Sequence, residues 1–404
     1  MKLVRFNLLF ALVASSIVFT AFTSSAHKAE EKVKLVRTPN DGIQPQAVMD
    51  ERGALHLIYL AGEPAASDVF YVRRLPGQKF STPLRVNSQP GSAIATGTIR
   101  GAQIALGKNG RVHVAWNGST NSGATGSHEA PMLYARMNDA GTAFEAQRNL
   151  MQFTHALDGG GSVAADKLGN VYVVWHGAGE QKGEANRRVW LARSTDDGKT
   201  FAREVAVDTP ANNKDNNKDN NKLTGACGCC GMRAFVDGRG ALSLLYRTAT
   251  DMTERGMFLL TSTDKGKTFS GARLDNWNLT SCPMSSATMT TNLKQNLAAW
   301  ENNGQVFFAA LNRIGTASGS DLLKFSAPDT TGKRKHPTIA TNAHGETILV
   351  WTEGTGWKKG GSLAWQVFDR NGQPTAEKGT APGVPVWGLA TVVAEADGSF
   401  TAIY

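Results

Sequence analysis

Apolar and polar residues alternate with a period of two along most of this chain, and glycine, asparagine and aspartate break the alternation at short intervals. Helical spacing is nearly absent. One form of the pattern recurs: a turn glycine, then an alternating strand that ends on an aromatic residue. Its copies are ERGALHLIY, KNGRVHVAW, KLGNVYVVW, GRGALSLLY, NLKQNLAAW, AHGETILVW and EADGSFTAIY. In six of them the glycine (Gly53, Gly110, Gly169, Gly240, Gly345, Gly398) lies six residues before the aromatic (Tyr59, Trp116, Trp175, Tyr246, Trp351, Tyr404). Lys294 takes the glycine's place before Trp300. A short apolar strand precedes each copy, as in PQAVMD and PTIATN, so every unit opens with a hairpin. A second strand pair follows, as in RVWLARSTDDGKTFAREVAVD and GMFLLTSTDKGKTFSGARLD. Four strands per unit, repeated every roughly 50 to 70 residues, predict an all-β propeller of four-stranded antiparallel blades. Seven blades follow from the count, and six with an accessory hairpin is the alternative. Residues 390–404 supply only half a unit. The segment KVKLVRTPN near the start is expected to complete the last blade, closing the ring by joining the N- and C-terminal segments.

Composition bears mainly on the compartment. The chain opens MKLVRFNLLFALVASSIVFTAFTSSAHK: two cations, an apolar run, then small residues at Ser24 and Ala26. That is the pattern of a secretory signal over residues 1–26, leaving 27–404 as a single propeller domain in the periplasm or outside the cell. No other stretch is long and apolar enough to span a bilayer. Removing the signal takes away Lys2 and Arg5 and no acidic residue, which leaves about +7 of the formal +9 charge. The basic residues are scattered, with no stripe of the kind that tracks nucleic acid. A mild positive field suits an acidic glycan or an anionic surface. NNKDNNKDNNK at 212–222 is a polar, repetitive and flexible insertion by composition.

The segments STDDGKTF (194–201) and STDKGKTF (262–269) are in phase with the repeat. Asp196 and Asp264 suit hydrogen bonds to a tight loop, Gly198 and Gly266 a positive φ, and Phe201 and Phe269 packing beneath it. Both segments match the Asp-box, Ser-x-Asp-x-Gly-x-Thr-aromatic, and on these residues the chain resembles the sialidase-like propellers. The resemblance implies a structural staple on the face away from the active site. With strands named A to D from the axis outward, the B-to-C and D-to-A loops emerge on one face, here the top. The Asp-boxes, as C-to-D turns, fall on the bottom. To the top go Asn117, His176, Arg247, Glu301 and Thr352 after the repeated aromatics. Arg100, THALDGGG with His155 and Asp158, the segment before Met232, and TSCPMSS join them there.

The last two segments hold all four cysteines: Cys227, Cys229 and Cys230 in TGACGCCGMRAF, and Cys282. Neighbouring top loops bring them within reach of one another. In an oxidising compartment an even count favours two disulfides, with Cys227 or Cys229 joined to Cys282; a Cys229–Cys230 bond closes a strained ring. A soft-metal site is the alternative, with thiolates at Cys227 and Cys229 and thioether help from Met232 or Met284, a donor set for Cu(I) rather than zinc. Redox chemistry is the third reading. Cys-x-Cys-Cys followed by Cys-Pro, with Tyr246–Arg247 and Arg255, also resembles a subgroup of secreted sialidase-like propellers.

A sialidase holds its substrate carboxylate with three arginines and uses a tyrosine–glutamate pair with an aspartic acid. Arg100, Arg233, Arg247 and Arg255 are the candidates for the clamp, Asp158 for the acid and Glu301 for support of a tyrosine. His155 and His176 are further ligand-binding candidates. The sequence departs from that family in two places: VRTP at 36–39 only shadows the N-terminal Arg-Ile/Leu-Pro signature, and Tyr404 sits at the repeated aromatic position. The expectation is therefore a propeller whose top face binds a glycan, peptide or metal ion without turnover. Exo-sialidase hydrolysis is the alternative, and copper handling a third.

Overall fold

The computed structural model of the protein describes residues 1, 31–122, 130–209, 224–250, 253–292, 294–311, 322–328 and 333–404. Nearly all of the expected signal and the whole insertion at 212–222 lie outside these residues. The compact unit is Lys32–Tyr404. Seven sheets make it up. Six are four-stranded, with antiparallel neighbours in chain order, over residues 43–85, 103–149, 162–206, 233–273, 287–326 and 334–384. They are numbered blades 1 to 6. Their first strands neighbour one another around the central axis. This is a seven-bladed β-propeller.

Blade 7 is built differently. It has three strands, Thr391–Ala394, Phe400–Ile403 and, from the other end of the chain, Val33–Val36. The last two run parallel, with Val33 opposite Phe400 and Val36 opposite Ile403. Lys32 O accepts from Phe400 N at 2.8 Å and Val36 O accepts from Tyr404 N at 3.1 Å, so the chain ends close the ring through main-chain bonds. Arg37 donates to the carbonyls of Gly383 (2.6 Å) and Pro382 (2.9 Å) and lies 4.1 Å over the Tyr404 ring. The VRTP arginine therefore ties blade 6 to blade 7.

The repeated pattern maps onto the first hairpin of each blade. All six turn glycines have positive φ, between 73° and 90°, where a Cβ would be strained. The seven aromatics that end the pattern are buried inside the sheets. Several hold a polar partner there: Trp175 Nε1 donates to Thr154 Oγ1 (3.0 Å) and Trp300 Nε1 to Asp275 Oδ2 (2.5 Å). These rings are consumed by packing within and between blades.

Candidate functional site

Each Asp-box lies between the third and fourth strands of its blade, on the bottom. In blade 3 the Asp196 carboxylate accepts from the Ser194 hydroxyl (2.7 Å), the Thr200 amide (2.9 Å) and the Thr200 hydroxyl (2.7 Å). Asp264 accepts the same set in blade 4, from Ser262 (2.8 Å) and the Thr268 amide and hydroxyl (2.9 and 2.6 Å). Gly198 and Gly266 have φ of 75° and 74°. Phe269 is buried, and Phe201 meets Tyr134 edge-on at 4.9 Å. Arg111 Nε donates to Asp197 at 2.5 Å and Arg136 to the Asp197 carbonyl at 2.9 Å, so the blade 3 box is gripped by blade 2. Burial alone would raise Asp196, but the hydrogen bonds from Thr200 and Ser194 outweigh it and hold the carboxyl at about 2.

On the top face, the residue after the repeated aromatic in blades 2, 3 and 4 reaches the loop that enters the next blade. Asn117 Nδ2 donates to the Gly159 carbonyl at 2.6 Å. His176 is buried between the loop into its own blade, where Gly159 leaves it room, and the loop into the next: a Cβ on Gly159 would lie 2.7 Å from Nε2 and collide with the Cys230 carbonyl. Burial, with Arg187 nearby, pushes the imidazole down to about 4, so it is neutral. Arg247 is 2% exposed and donates to Ser285 Oγ (3.2 and 2.9 Å), Arg255 O (2.6 Å) and Glu301 O (2.6 Å), with its guanidinium 4.8 Å over Trp277. Three of the residues that looked like chemistry thus occupy one repeated latch position.

The other candidates separate in the same way. Arg255 is buried and paired with Glu184 at 2.7 Å. Arg233 points into the central channel, where it donates to Gln103 Oε1 and, at 3.1 Å, to Gln46 Oε1; burial lowers it to about 10. That channel is lined by Gln46, Ile99, Gln103, Met232, Arg233 and His336 among others, and its cavity of about 30 Å³ has room for a water or two, not for a sugar ring. Arg100 pairs with Asp158 through Asp158 O (2.7 Å) and Oδ1 (2.5 Å). Glu301 is buried, and its Oε2 has no hydrogen-bond partner among the described residues. Burial raises it to about 7, against the lowering influence of Lys335 and Arg247. His155 is exposed beside the Arg100–Asp158 loop. Each arginine of the candidate clamp is bound to a different set of protein groups. Tyr404 is covered by Arg37 in blade 7, whereas Glu301 follows the repeated aromatic of blade 5.

Two features of the top face were not singled out from the sequence. Trp357, in the second-to-third strand loop of blade 6, is 55% exposed. Trp387, from the loop into blade 7, holds it edge-on at a ring separation of 4.6 Å and an angle of 76°. Both Trp357 and Arg100 reach Gly97, where a Cβ would lie 3.4 Å and 3.3 Å from them. An exposed indole therefore stands beside the Arg100–Asp158 pair. The signal available in WTEGTGW is a tryptophan out of phase with the repeat, in a loop that sorts to the top. The second feature is Glu184, whose carboxylate lies among the cysteines, which are free thiols in the structure. Cys229 Sγ, Cys282 Sγ and a Glu184 oxygen are all within 4.8 Å of one another, so the two cysteine loops do meet. The expected bond from Cys227 or Cys229 to Cys282 is not formed. Met232 faces the channel, with its side chain in the blade 3–4 core.

No family model matches the sequence, and no curated protein matches it. Among solved structures, the chain is similar to the Hadza microbial sialidase Hz136 (13% identity, 84% of this chain and 74% of that one, TM-score 0.50). It is similar to the NanB sialidase of Streptococcus pneumoniae (9% identity, 84% and 67%, TM-score 0.50). It is also similar to an α-L-arabinanase of Penicillium chrysogenum complexed with arabinobiose (13% identity, 83% and 95%, TM-score 0.52). Sialidases and an arabinanase share this architecture, so the likeness speaks to fold and not to activity. With the Asp-boxes on the bottom and seven blades closed by the chain ends, this chain has the fold of a sialidase-like β-propeller.

Proposed function

We propose that this chain is an exported propeller that binds a glycan on its top face without turning it over. The observation that carries the reading is the Trp357 indole, 55% exposed and braced by Trp387 beside the Arg100–Asp158 pair. An indole face stacks on the apolar face of a sugar ring, and a neighbouring guanidinium and carboxylate supply donors and acceptors for its hydroxyl or acidic groups. Support also comes from the sialidase and arabinanase neighbours, which work on glycans, and from the mild positive charge. Binding without turnover is favoured by the state of the candidate catalytic set. Arg247 and Arg255 are committed to protein partners, and Glu301 is enclosed.

The test is binding to a panel of sialylated and arabinose-containing oligosaccharides, followed by intrinsic tryptophan fluorescence. Trp357→Ala is expected to weaken binding roughly tenfold, about 1.4 kcal/mol, with an unchanged melting temperature. Fluorogenic sialosides and arabinosides should release no fluorophore. Release that Asp158→Asn abolishes would instead establish a hydrolase. Equal affinity in the Trp357 variant would move the site elsewhere.

A further inference from the structure

The cysteine side chains take no part in the blade latches or in the tryptophan platform, yet two loops carry them to one place. Cys227 Sγ lies 3.2 Å from Cys230 Sγ and 3.5 Å from Cys229 Sγ, and the three sulfurs are mutually within 4.8 Å. A turn closed by Cys230 N donating to Cys227 O (3.2 Å) sets that spacing, and Cys227 N donating to Arg247 O (2.9 Å) anchors it to blade 4. Cys229 also belongs to a second set, with Cys282 and Glu184. Cys227 and Cys230 are buried, Cys229 is half-buried and Cys282 is exposed, so the donors form a series running inward from solvent.

Thiols are weak hydrogen-bonding groups and gain little from each other's company. Arginine side chains border the cluster as well. Arg255 is paired at 2.7 Å with Glu184, the carboxylate grouped with Cys229 and Cys282, and the Arg247 carbonyl holds the cysteine turn. The Arg187 guanidinium covers Gly228, with Nε 2.8 Å from the position a Cβ would take. The Arg187 and Arg255 guanidinium groups beside the cysteine loop and its carboxylate help to offset the charge of a thiolate–metal complex, about −2 for three thiolates and one monovalent ion.

We propose that Cys227, Cys229 and Cys230 bind one soft monovalent metal ion of the Cu(I) class, and that Cys282 and Glu184 form an outer set that passes the ion to Cys229. Sulfur donors select soft ions. A structural zinc site needs four donors in a tetrahedron, and here Cys282 is grouped with Cys229 rather than with all three inner sulfurs. Binding displaces the protons that the thiols carry and needs no oxidant. The inference is independent of the glycan reading.

The experiment uses the full chain, reduced and kept anaerobic, with Cu(I) supplied as its bathocuproine disulfonate complex. The wild type is expected to withdraw one Cu(I) per chain, to melt at a higher temperature afterwards, and to show a sulfur-only shell by X-ray absorption. Cys227→Ser and Cys230→Ser should each lose at least about a hundredfold in affinity, more than outer-shell partners usually contribute. Cys229→Ser, at a half-buried position, repeats the test where folding is least at risk, with circular dichroism as the control. Cys282→Ser should keep the equilibrium affinity and slow uptake. Reduced, folded wild type that withdraws no Cu(I), or a Cys229→Ser protein that withdraws as much as wild type, would overturn the site. Unchanged uptake in Cys282→Ser would overturn the outer set.

Discussion

Arg247 shows how a residue can look catalytic for a structural reason. It follows a repeated aromatic, sorts to the face where propellers bind ligands, and carries the group an anion site needs. Its donors are nonetheless directed at Ser285, Arg255 O and Glu301 O. Arg247→Ala strands these buried acceptors and opens a cavity, so a loss of about 4 kcal/mol or more is expected by chemical denaturation. Arg100→Ala, on a partly exposed ion pair, should lose only about 1 kcal/mol. Glu301 gives a second residue-scale outcome. Burial raises its carboxyl from 4.5 to about 7, so the folded state holds a proton that the unfolded state has released. Stability is then unaffected below pH 4.5 and falls as pH rises from there to 7, by up to about 3 kcal/mol. Glu301→Gln should flatten that decline, as urea midpoints measured from pH 4 to 8 will show.

The Asp-box belongs to the scale of the element, since no one of its residues accounts for it. Serine, aspartate and threonine close a ring of hydrogen bonds around a turn that needs Gly198 at positive φ, and the turn then fits against blade 2. The depressed Asp196 carboxyl contributes stability above its unfolded value near 3.8, and that contribution is lost as pH falls toward 2. With discounting for its exposure, the contribution is about 1 kcal/mol. Asp196→Asn should therefore lower the melting temperature at neutral pH and narrow the gap to wild type near pH 2, without altering ligand affinity on the opposite face. Gly198→Ala should be worse, because its Cβ would run into the Tyr134 hydroxyl as well as the unfavourable φ.

At the scale of the whole molecule, the ring is held shut by one short parallel strand pair in blade 7, which has three strands among the described residues. Deleting residues 32–36 removes buried Val33 and the main-chain bonds to Phe400 and Tyr404. A loss of about 3 kcal/mol or more is expected, with early protease cleavage around residues 385–404 as its signature. Closure also decides what the top face presents. Trp357 from blade 6 and Arg100 from the loop into blade 2 meet over Gly97 across the ring that blade 7 closes.

The alternation, the turn glycines and the Asp-boxes determined the propeller and its two faces and narrowed the blade count to seven or six. These depend on neighbours a few residues apart, and a period of two writes them directly into the chain. Gathering the cysteine loops could be read the same way, since successive blades must share a rim. Whether a polar side chain on that rim faces solvent or a neighbouring loop was decided by the tertiary structure alone. Arg247 and Arg100 carry the same group on the same face, and only the packing of loops dozens of residues away buries one and leaves the other partly open. Trp357 was the converse case: its significance comes from what it does not contact, and exposure is a property of the assembled surface rather than of any local run of residues.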